Sequence, residues 1–396
     1  MEKKIKLLML SDAPTTPTGF GRVGFSIAKH LSQDDYDISW LGVNYYGDPH
    51  TLPYRIYPPG LGGDVYGFNR MREVLDRENP DIVWILNDAW VQNDYLAILK
   101  QAANDKANPH KPKVVTYTPV DAEFHDPSWY QHFDVVDVPV AYTRFGYDEI
   151  SRTRPDLADK LMVIPHGIDT DLFFPLSSSR KEFKKTFYPR EEFGDFFIAL
   201  SAHRNQPRKR LDITMYGFAM FAQGKEDVKL FMHCGVTDSS IDVAKLAIRL
   251  GIDHKILMSG VVHGIQRVSD IQLNKIYNAC DVGLNTGVGE GWGLPNMEHA
   301  VTGAMQIVPG HSSLTDLWGD VGMLVPARIP VTLDNIMTVG RMVMAEDVAR
   351  ALETAYRNKS NTDALGMKGM KKFSAPNYSW ANITKTWDSI FKDLMP

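Results

Sequence analysis

Short runs rich in apolar and β-branched residues alternate with helix-compatible stretches along nearly the whole chain of 396 residues. The strand candidates are residues 5–11, 38–43, 82–86, 114–118, 135–141, 196–201, 228–233, 256–260, 282–285 and 306–308. The helix candidates are residues 21–31, 68–78, 94–104, 211–221, 241–250, 271–278 and 296–302. This alternation is typical of βαβ units built around parallel sheets. Because the pattern occurs in both halves, the sequence predicts an α/β protein with two Rossmann-like domains in series.

The length also favours two domains, each with a sizeable core. Residues 162–165 resemble a last strand, which puts the boundary near Pro165. We therefore expect a first domain over residues 1–165 and a second over 166–377. A third segment, residues 378–396, has Trp380, Ile383 and Trp387 at helical spacing and predicts an amphipathic C-terminal helix.

The composition excludes several classes of protein. The longest apolar runs, such as residues 82–86, are too short to span a bilayer, and the N-terminus enters a strand without the apolar region of a signal peptide. The only cysteines, Cys234 and Cys280, lie in apolar contexts and indicate reduced core residues of a cytoplasmic protein. Residues 1–165 carry 17 Lys and Arg against 23 Asp and Glu, which gives no sign of a polyanion-binding surface.

The run from Gly289 to Glu298 places two carboxylates eight positions apart around a glycine-rich turn, between a strand candidate and a helix candidate. A strand, a glycine turn and a helix start can hold a phosphate on backbone N–H groups. Glu290 and Glu298 would repel phosphate but suit neutral hydroxyls, such as those of a sugar and a ribose. The run therefore predicts a nucleotide-sugar pocket, and the alternative is a Gly-Pro loop with solvated glutamates.

This run resembles the Glu-x7-Glu motif of the family-4 retaining glycosyltransferases. The resemblance implies the GT-B fold, with two facing Rossmann-like domains, a central cleft, and a C-terminal helix that crosses back to the first domain. It further implies a nucleoside-diphosphate sugar as donor, no cofactor and no metal. In this reading Glu290 binds the sugar and Glu298 the ribose, and the residues around the diphosphate are Gly291, Trp292, Gly293 and Leu294.

A run of cations, residues 203–210, follows the strand candidate at 196–201. Such a run is usually a solvated loop, but this one lies at the carboxyl end of a parallel strand, where α/β sheets bind ligands. Arg204 and Lys209 are five positions apart, and the resemblance implies that they neutralise the leaving diphosphate.

The first domain offers weaker candidates. Gly19 and Gly21 follow the first strand and open the first helix, so they form either a simple tight turn or the glycine loop that the resemblance implies at the diphosphate. Asp121 and His125 lie in a loop after another strand, where the family often has an active-site histidine. The register leaves open which of the two is that group, and a surface loop with capping Asp residues is the alternative.

Two further points bear on the chemistry. Asp88 and Trp90, after the strand at 82–86, are candidates for the acceptor side. Asp169 and Asp171 form an Asp-x-Asp that, taken alone, suggests a metal site. The resemblance instead makes this run a structural signature between the domains, with His166 as a hinge or capping residue.

The resulting expectation is a retaining transfer from a nucleotide sugar to an acceptor hydroxyl on the face from which the diphosphate leaves. The acceptor stays open among a saccharide, a lipid-linked sugar, a protein and a small metabolite, with modified DNA disfavoured by the acidic first half. The sugar, the base and the oligomeric state are also open. The alternatives are a non-hydrolysing sugar-nucleotide epimerase and an inactive nucleotide-sugar-binding subunit.

Overall fold

The computed structural model describes residues 3–60, 62–106, 109–188, 191–334 and 336–395. The chain divides into two units. The first unit comprises Met1–Val120, Phe124–Gly167 and Asn377–Pro396, and the second comprises Asp121–Glu123 and Ile168–Pro376. The short segment Asp121–Glu123 thus belongs to the second unit although its neighbours in sequence belong to the first.

The first unit is built on a seven-stranded parallel sheet with the order β3-β2-β1-β4-β5-β6-β7. Its strands are β1 (Ile5–Asp12), β2 (Tyr36–Val43), β3 (Arg55–Tyr57), β4 (Ile82–Leu86), β5 (Lys113–Thr118), β6 (Val138–Ala141) and β7 (Met162–Val163). Its helices are α1 (Gly19–Ala28), α2 (Phe68–Glu78), α3 (Ala89–Ala103) and α4 (Arg144–Thr153). All five residues of β4 are buried, as expected for a central parallel strand covered on both faces.

The second unit repeats this plan with six parallel strands in the order β10-β9-β8-β11-β12-β13, and adds a separate antiparallel hairpin, β14-β15. The strands are β8 (Phe197–Ser201), β9 (Val228–Met232), β10 (Ile256–Met258), β11 (Val282–Leu284), β12 (Met305–Pro309), β13 (Met323–Val325), β14 (Ala327–Thr332) and β15 (Val339–Val343). The helices are α5 (Arg180–Phe187), α6 (Leu211–Phe221), α7 (Val243–Arg249), α8 (Asp270–Asn278), α9 (Leu294–Ala300), α10 (Ser313–Trp318), α11 (Ala345–Arg357) and α12 (Lys359–Phe373).

The last helix, α13 (Trp380–Asp393), packs on the first unit. Trp387 is fully buried, and its ring meets the rings of Trp84 and Tyr117 at centroid distances of 5.8 and 4.9 Å. The hydroxyl of Tyr36 donates a hydrogen bond to the Asp388 carboxylate at 2.6 Å. The expected return of the C-terminal helix to the first domain is therefore confirmed.

The two parallel sheets confirm the predicted pair of Rossmann-like domains, while several element ends differ. Helix α1 begins at Gly19 because the Thr18 side chain accepts the Gly21 N–H and caps the helix there. Strand β6 begins only at Val138 because the three residues Phe133–Val135 form a 3-10 turn. The hairpin β14-β15 was not predicted. Among the described residues, no helix has both the length and the apolarity needed to cross a membrane.

Each parallel sheet reverses its strand order at one point. In the first sheet this point lies between β1 and β4, and in the second between β8 and β11. Loops that leave the carboxyl ends of two such neighbouring strands diverge to opposite faces and leave a crevice, where open α/β sheets bind their ligands.

Candidate functional site

Two loops meet at the reversal point of the second sheet. Strands β8 and β11 pair in parallel, with Ala199 beside Val282, so their following loops leave the same edge. The loop after β8 carries the cation run, and the loop after β11 carries the glycine-rich turn with Glu290. The sequence predicted both loops, and the sheet topology brings them together.

Lys209 and Glu290 form a buried ion pair across this point. Their residues are only 7% and 8% exposed, and the Lys209 ammonium bonds Oε2 of Glu290. Although burial acts to raise the pKa of Glu290, Lys209 and Arg208 outweigh it and hold that pKa at about 2. Burial and the adjacent Arg208 lower the pKa of the Lys209 ammonium, and the Glu290 carboxylate opposes that shift. Glu290 is therefore an ionised carboxylate at neutral pH.

The backbone fixes both partners. Lys209 ends a short 3-10 turn, Pro207–Lys209, and Arg210 follows in the left-handed region with φ 48°. The backbone N–H of Glu290 donates to the Ser312 hydroxyl at 3.1 Å. Two side chains held by fixed turns in a water-poor setting form a preorganised charged site.

Arg208 links this pair to the segment Asp121–Glu123. Its guanidinium lies 4.0 Å from the other Glu290 oxygen and 3.5 Å from the Asp121 carboxylate, and it donates to the Gly289 carbonyl at 3.2 Å. Gly289 itself lies so close to the Asp121 carbonyl that a Cβ would come within 2.0 Å of that oxygen. Arg208, which is not among the predicted site residues, thus contacts the carboxylates of both Asp121 and Glu290.

Arg204 has a different partner. Its guanidinium makes two hydrogen bonds to the Asp238 carboxylate, at 2.7 and 3.3 Å, and its side chain is 44% exposed. Arg204 and Lys209 therefore lie on the same loop but in separate ion pairs.

Glu298 lies on α9, which begins after Gly293 at a φ of 86°. Its carboxylate is buried and accepts a hydrogen bond from the Tyr277 hydroxyl of α8 at 2.7 Å. Trp292 is also buried, and its indole N–H donates to the Met297 sulfur at 3.2 Å. The two glutamates thus occupy different environments, because Glu290 pairs with a cation and Glu298 with a neutral hydroxyl.

A chain of buried amides supports the glycine turn and was missed at the level of sequence. Asn285 donates to Asn296 at 3.0 Å, and Asn296 donates to Gln306 at 3.0 Å. The Gly287 N–H donates to the Asn285 side chain at 2.8 Å. His203 is buried beside Lys209, and burial lowers the pKa of its imidazole to about 3. For Asn285 the available signal was its place directly after the apolar strand β11, whereas Asn296 lies on α9 and Gln306 lies inside β12.

The β14-β15 hairpin fastens these loops through the backbone. The Arg341 N–H donates to the Val288 carbonyl at 2.8 Å, and the Val288 N–H donates to the Arg208 carbonyl at 2.9 Å. Glu123 and Val339 exchange two backbone hydrogen bonds, and the Arg341 side chain bonds the Glu123 carboxylate at 3.0 Å. The hairpin, the cation loop and the glycine turn are therefore one hydrogen-bonded assembly.

The glycine loop of the first unit is shaped by packing. A Cβ on Gly21 would lie 2.7 Å from the Ala13 carbonyl, so only glycine fits there, whereas Gly19 is exposed at the helix start. The hydroxyl of Thr18 donates to Asp12, whose other oxygen accepts from Asn44 at 3.1 Å.

His125 falls in the first unit and Asp121 in the second. His125 is buried, its backbone N–H donates to Glu149 at 2.7 Å, and its Nδ1 lies 2.7 Å from the Tyr130 hydroxyl. Its ring packs edge-on to Trp129 at 5.1 Å.

The Asp-x-Asp run serves a turn. The Asp169 carboxylate accepts the Asp171 N–H at 3.1 Å. His166 is buried among aromatic rings with its Nδ1 at 2.7 Å from the Tyr117 hydroxyl, and burial lowers its pKa to about 3. In the described parts of the chain, no three side chains of His, Cys, Asp or Glu converge as they would around a metal ion.

Comparisons with known proteins agree on the fold. No protein-family model matches the chain, and no curated protein matches it significantly. Among solved structures, the sucrose-phosphate synthase of Thermosynechococcus elongatus matches with a TM-score of 0.77 and 14% identity over 99% of each chain. Anabaena HepE, in complex with UDP and glucose, matches with a TM-score of 0.71 and 14% identity over 98% of this chain and 100% of that one. WaaG, a glycosyltransferase involved in lipopolysaccharide biosynthesis, matches with a TM-score of 0.70 and 12% identity over 98% and 99%.

These matches cover nearly all of both chains, and they show that this chain has the GT-B fold of glycosyltransferases. The fold implied by the resemblance is thereby confirmed. Membership of family 4 and the roles of the Glu-x7-Glu residues stay predictions.

Proposed function

We propose that this chain is a retaining, metal-independent glycosyltransferase that moves a sugar from a nucleoside-diphosphate sugar to an acceptor hydroxyl. The observation that carries the proposal is the buried Lys209–Glu290 pair, with Arg208 beside it, at the strand-order reversal of a GT-B fold. The HepE structures that contain UDP and UDP-glucose support a nucleotide sugar as the donor class.

In this proposal Lys209 serves two partners at once. An ammonium group has three N–H donors, and Glu290 accepts one of them. The remaining donors are directed to the diphosphate. The guanidinium of Arg204 uses Nε and Nη2 for Asp238 and has further N–H groups for phosphate oxygens.

The chemical step follows from charge. When the bond between the sugar and the diphosphate breaks, negative charge grows on the leaving phosphate, and preorganised cations stabilise it without reorganisation. The acceptor hydroxyl attacks on the same face and passes its proton to a donor phosphate oxygen, so the protein supplies positioning and charge instead of a dedicated base. Glu290 binds the sugar hydroxyls and Glu298 the ribose, and the backbone amides of Gly291, Gly293 and Leu294 hold the diphosphate.

The three alternatives differ in what they do with a donor. A transferase passes the sugar to an acceptor, an epimerase inverts the sugar on its nucleotide, and an inactive subunit leaves the donor intact. The presence of two cations, Arg204 and Lys209, favours a reaction in which the diphosphate leaves, as it does in sugar transfer.

The decisive experiment begins with a thermal-shift screen of UDP-, GDP-, ADP- and CMP-sugars. A ligand at about 100 times its Kd stabilises a folded protein by about 2.7 kcal/mol, which is a clear rise in melting temperature. The stabilising donor is then incubated with an acceptor library, and the configuration of the new linkage is read by NMR. Transfer with the donor's own anomeric configuration supports the proposal. Inverted linkages, an epimerised donor, or a donor left intact with every acceptor would overturn it.

A further inference from the structure

Arg204 and Asp238 lie on two neighbouring loops of the second unit. Arg204 lies in the loop that follows β8, and Asp238 lies in the loop that follows β9. The two strands pair in parallel, with Ser201 beside Met232, so both loops leave the same edge of the sheet. Open α/β sheets bind their ligands at this edge. The proposed reaction uses Arg204 from the first of these loops and no residue from the second.

Asn205 fastens the two loops to each other. Its side chain is fully buried, and its Nδ2 donates to the carbonyls of Gly235 and Ile241 at 3.1 and 2.7 Å. Its Oδ1 accepts the Ile241 N–H at 3.2 Å. These bonds hold the loop on either side of Asp238, and they start from the residue next to Arg204. The separation of Arg204 and Asp238 is therefore set by the buried contacts of their neighbours.

The Arg204 guanidinium meets the Asp238 carboxylate side-on. Nε donates to one carboxylate oxygen at 2.7 Å, and Nη2 donates to the other at 3.3 Å. The Asp238 side chain is 10% exposed, whereas that of Arg204 is 44% exposed. Two parallel hydrogen bonds fix the orientation of a planar guanidinium as well as its position. An exposed arginine can otherwise change rotamer, so Asp238 removes much of this freedom before any ligand binds.

The outer edge of this guanidinium stays open. A guanidinium has five N–H groups, and Asp238 accepts from two of them, which leaves both N–H groups of Nη1 and one of Nη2. Among the described residues, no atom accepts a hydrogen bond from Nη1 of Arg204. Arg210, on the same loop, makes the same pair of bonds with Asp212, but its Nη1 lies against the Met342 sulfur. Arg204 thus combines an anchored inner edge with an outer edge that an anion can reach.

We propose that Asp238 is a positioning residue for sugar transfer, which keeps the Nη1 edge of Arg204 directed at the diphosphate. This inference rests on the proposed function, because that function assigns the diphosphate to Arg204. The negative charge that grows on the leaving group then meets a guanidinium that does not have to reorient, which is the condition for effective charge stabilisation. Asp238 acts through Arg204 and does not contact the donor.

Asp238→Asn is the first variant, because it removes the charge at nearly constant volume. We expect kcat to fall about tenfold, since a small misplacement of a charge-stabilising group slows the reaction strongly, while the KM of the acceptor stays within about twofold of wild type. Asp238→Glu restores a carboxylate and should recover part of this loss.

Asp242→Asn is the matched control. It removes one negative charge only four positions further along the chain, from a carboxylate that pairs with Lys245 and caps α7. Asparagine caps a helix as well as aspartate does, and an exposed ion pair contributes little, so kcat should stay within about twofold of wild type.

A double-variant cycle separates positioning from a general effect on the fold. In an Arg204→Ala background, Asp238→Asn should lower kcat no further, because its partner is already gone. Melting temperatures show that each variant is folded, and Asp238→Ser replaces Asp238→Asn in the cycle if the latter does not fold.

Calorimetry gives a second readout that needs no acceptor. UDP, GDP, ADP and CDP are each compared with the corresponding monophosphate, which lacks the outer phosphate to which the sugar is attached. For the diphosphate that binds, Asp238→Asn should weaken affinity about fivefold, the scale of one weakened charge-assisted hydrogen bond, and leave the monophosphate nearly unchanged.

Equal losses of kcat from Asp238→Asn with and without Arg204 would overturn the proposal, and so would wild-type kcat in a folded Asp238→Asn. A rise in kcat would also overturn it, because Asp238 would then hold Arg204 away from the donor. If Arg204→Ala has wild-type turnover, the assignment of the diphosphate to Arg204 fails and the positioning role fails with it. If Arg204→Ala loses turnover while Asp238→Asn does not, the role of Arg204 stands and only that of Asp238 fails. If a diphosphate binds but no acceptor is glycosylated, the proposed function fails, and the calorimetric comparison alone decides whether Asp238 positions Arg204.

Discussion

Lys209 and Glu290 are both buried, so each ionised group is stabilised mainly by the opposite charge of the other. Breaking a buried ion pair from one side leaves an uncompensated charge and costs about 3–5 kcal/mol of folding free energy. On the proposed function, the same isolation from water strengthens the attraction between the ammonium and the negative charge that grows on the leaving diphosphate. A substitution here therefore tests stability and turnover together, and the two effects must be separated.

Lys209→Ala is expected to lower turnover by roughly 100-fold or more, because a preorganised charge-stabilising group is lost. It should also destabilise the second unit, since Glu290 is left buried without its cation. Steady-state kinetics and urea unfolding measure the two effects. Near-normal turnover would show that Lys209 does not stabilise the leaving diphosphate.

The double variant Lys209→Met/Glu290→Gln is the control. It removes both charges with similar volumes, so most of the folding stability should return while turnover stays low. If turnover returned with stability, the single variant would have reported only a folding defect.

A second prediction for single residues concerns how folding stability depends on pH in the acid range. The folded-state pKa of Glu290, about 2, lies below the usual value of 4.5. The unfolded chain therefore binds more protons between these values, and stability from this group is complete above about pH 4.5 and is lost as the pH falls toward 2. Unfolding free energies across this window should fall less steeply in Glu290→Gln than in wild type, by up to about 1.4 kcal/mol per pH unit. Identical slopes would contradict the assignment of an ionised, paired Glu290.

The two glutamates should differ in what they bind. Glu298→Gln is expected to weaken both the donor and the free nucleoside diphosphate by about 1–3 kcal/mol, the value of a hydrogen bond to a charged group. Glu290→Gln should spare the free diphosphate and damage turnover or sugar selectivity. Calorimetry with the free diphosphate distinguishes them, and Tyr277→Phe shows how far Glu298 depends on its hydroxyl partner. Equal losses of diphosphate affinity in both variants would mean that the division of roles is wrong.

At the scale of elements, the β14-β15 hairpin is the least expected part of the second unit. It contributes no predicted site residue, yet its backbone is hydrogen-bonded to Val288. The N–H of Val288 in turn donates to the carbonyl of Arg208 in the cation loop. Gly340 makes this approach possible, because a Cβ there would lie 2.4 Å from the Val288 carbonyl.

Gly340→Val should therefore push the hairpin away from Val288 and loosen Arg208 and Lys209. Overpacking of this kind costs about 1–3 kcal/mol, and we expect turnover to fall more than stability explains. Gly369→Ala on α12 is the matched control, because a Cβ there meets only ordinary contacts at 3.8 Å or more. That control should be neutral or slightly stabilising, since alanine favours a helix. Full activity in a folded Gly340→Val would show that the hairpin does not position the loops.

At the level of the whole molecule, the proposed function takes the positive charge for the diphosphate from side chains of one loop and predicts that transfer needs no metal. Activity should survive an excess of EDTA, because Arg204 and Lys209 supply the charge that a divalent cation would otherwise bring. Transfer assays with EDTA, with Mg²⁺ and with Mn²⁺ decide this. Complete loss in chelator with recovery on adding metal would mean that Asp169 and Asp171 were misinterpreted.

The amino-acid pattern alone predicts the class of fold, because buried parallel strands must be apolar and the helices between them must be amphipathic. The sequence also singled out Lys209, Glu290 and Glu298 as candidate site residues, since glycine turns and cations at strand ends stand out against apolar runs, and their roles stay predictions. The partners of these side chains, by contrast, follow from the three-dimensional fold. Lys209 pairs with Glu290 across 81 positions of sequence, and Arg204 pairs with Asp238 across 34. Arg208 and the β14-β15 hairpin became visible for the same physical reason: ion pairs and backbone hydrogen bonds act over a few ångströms, and the sheet topology chooses which distant segments come that close.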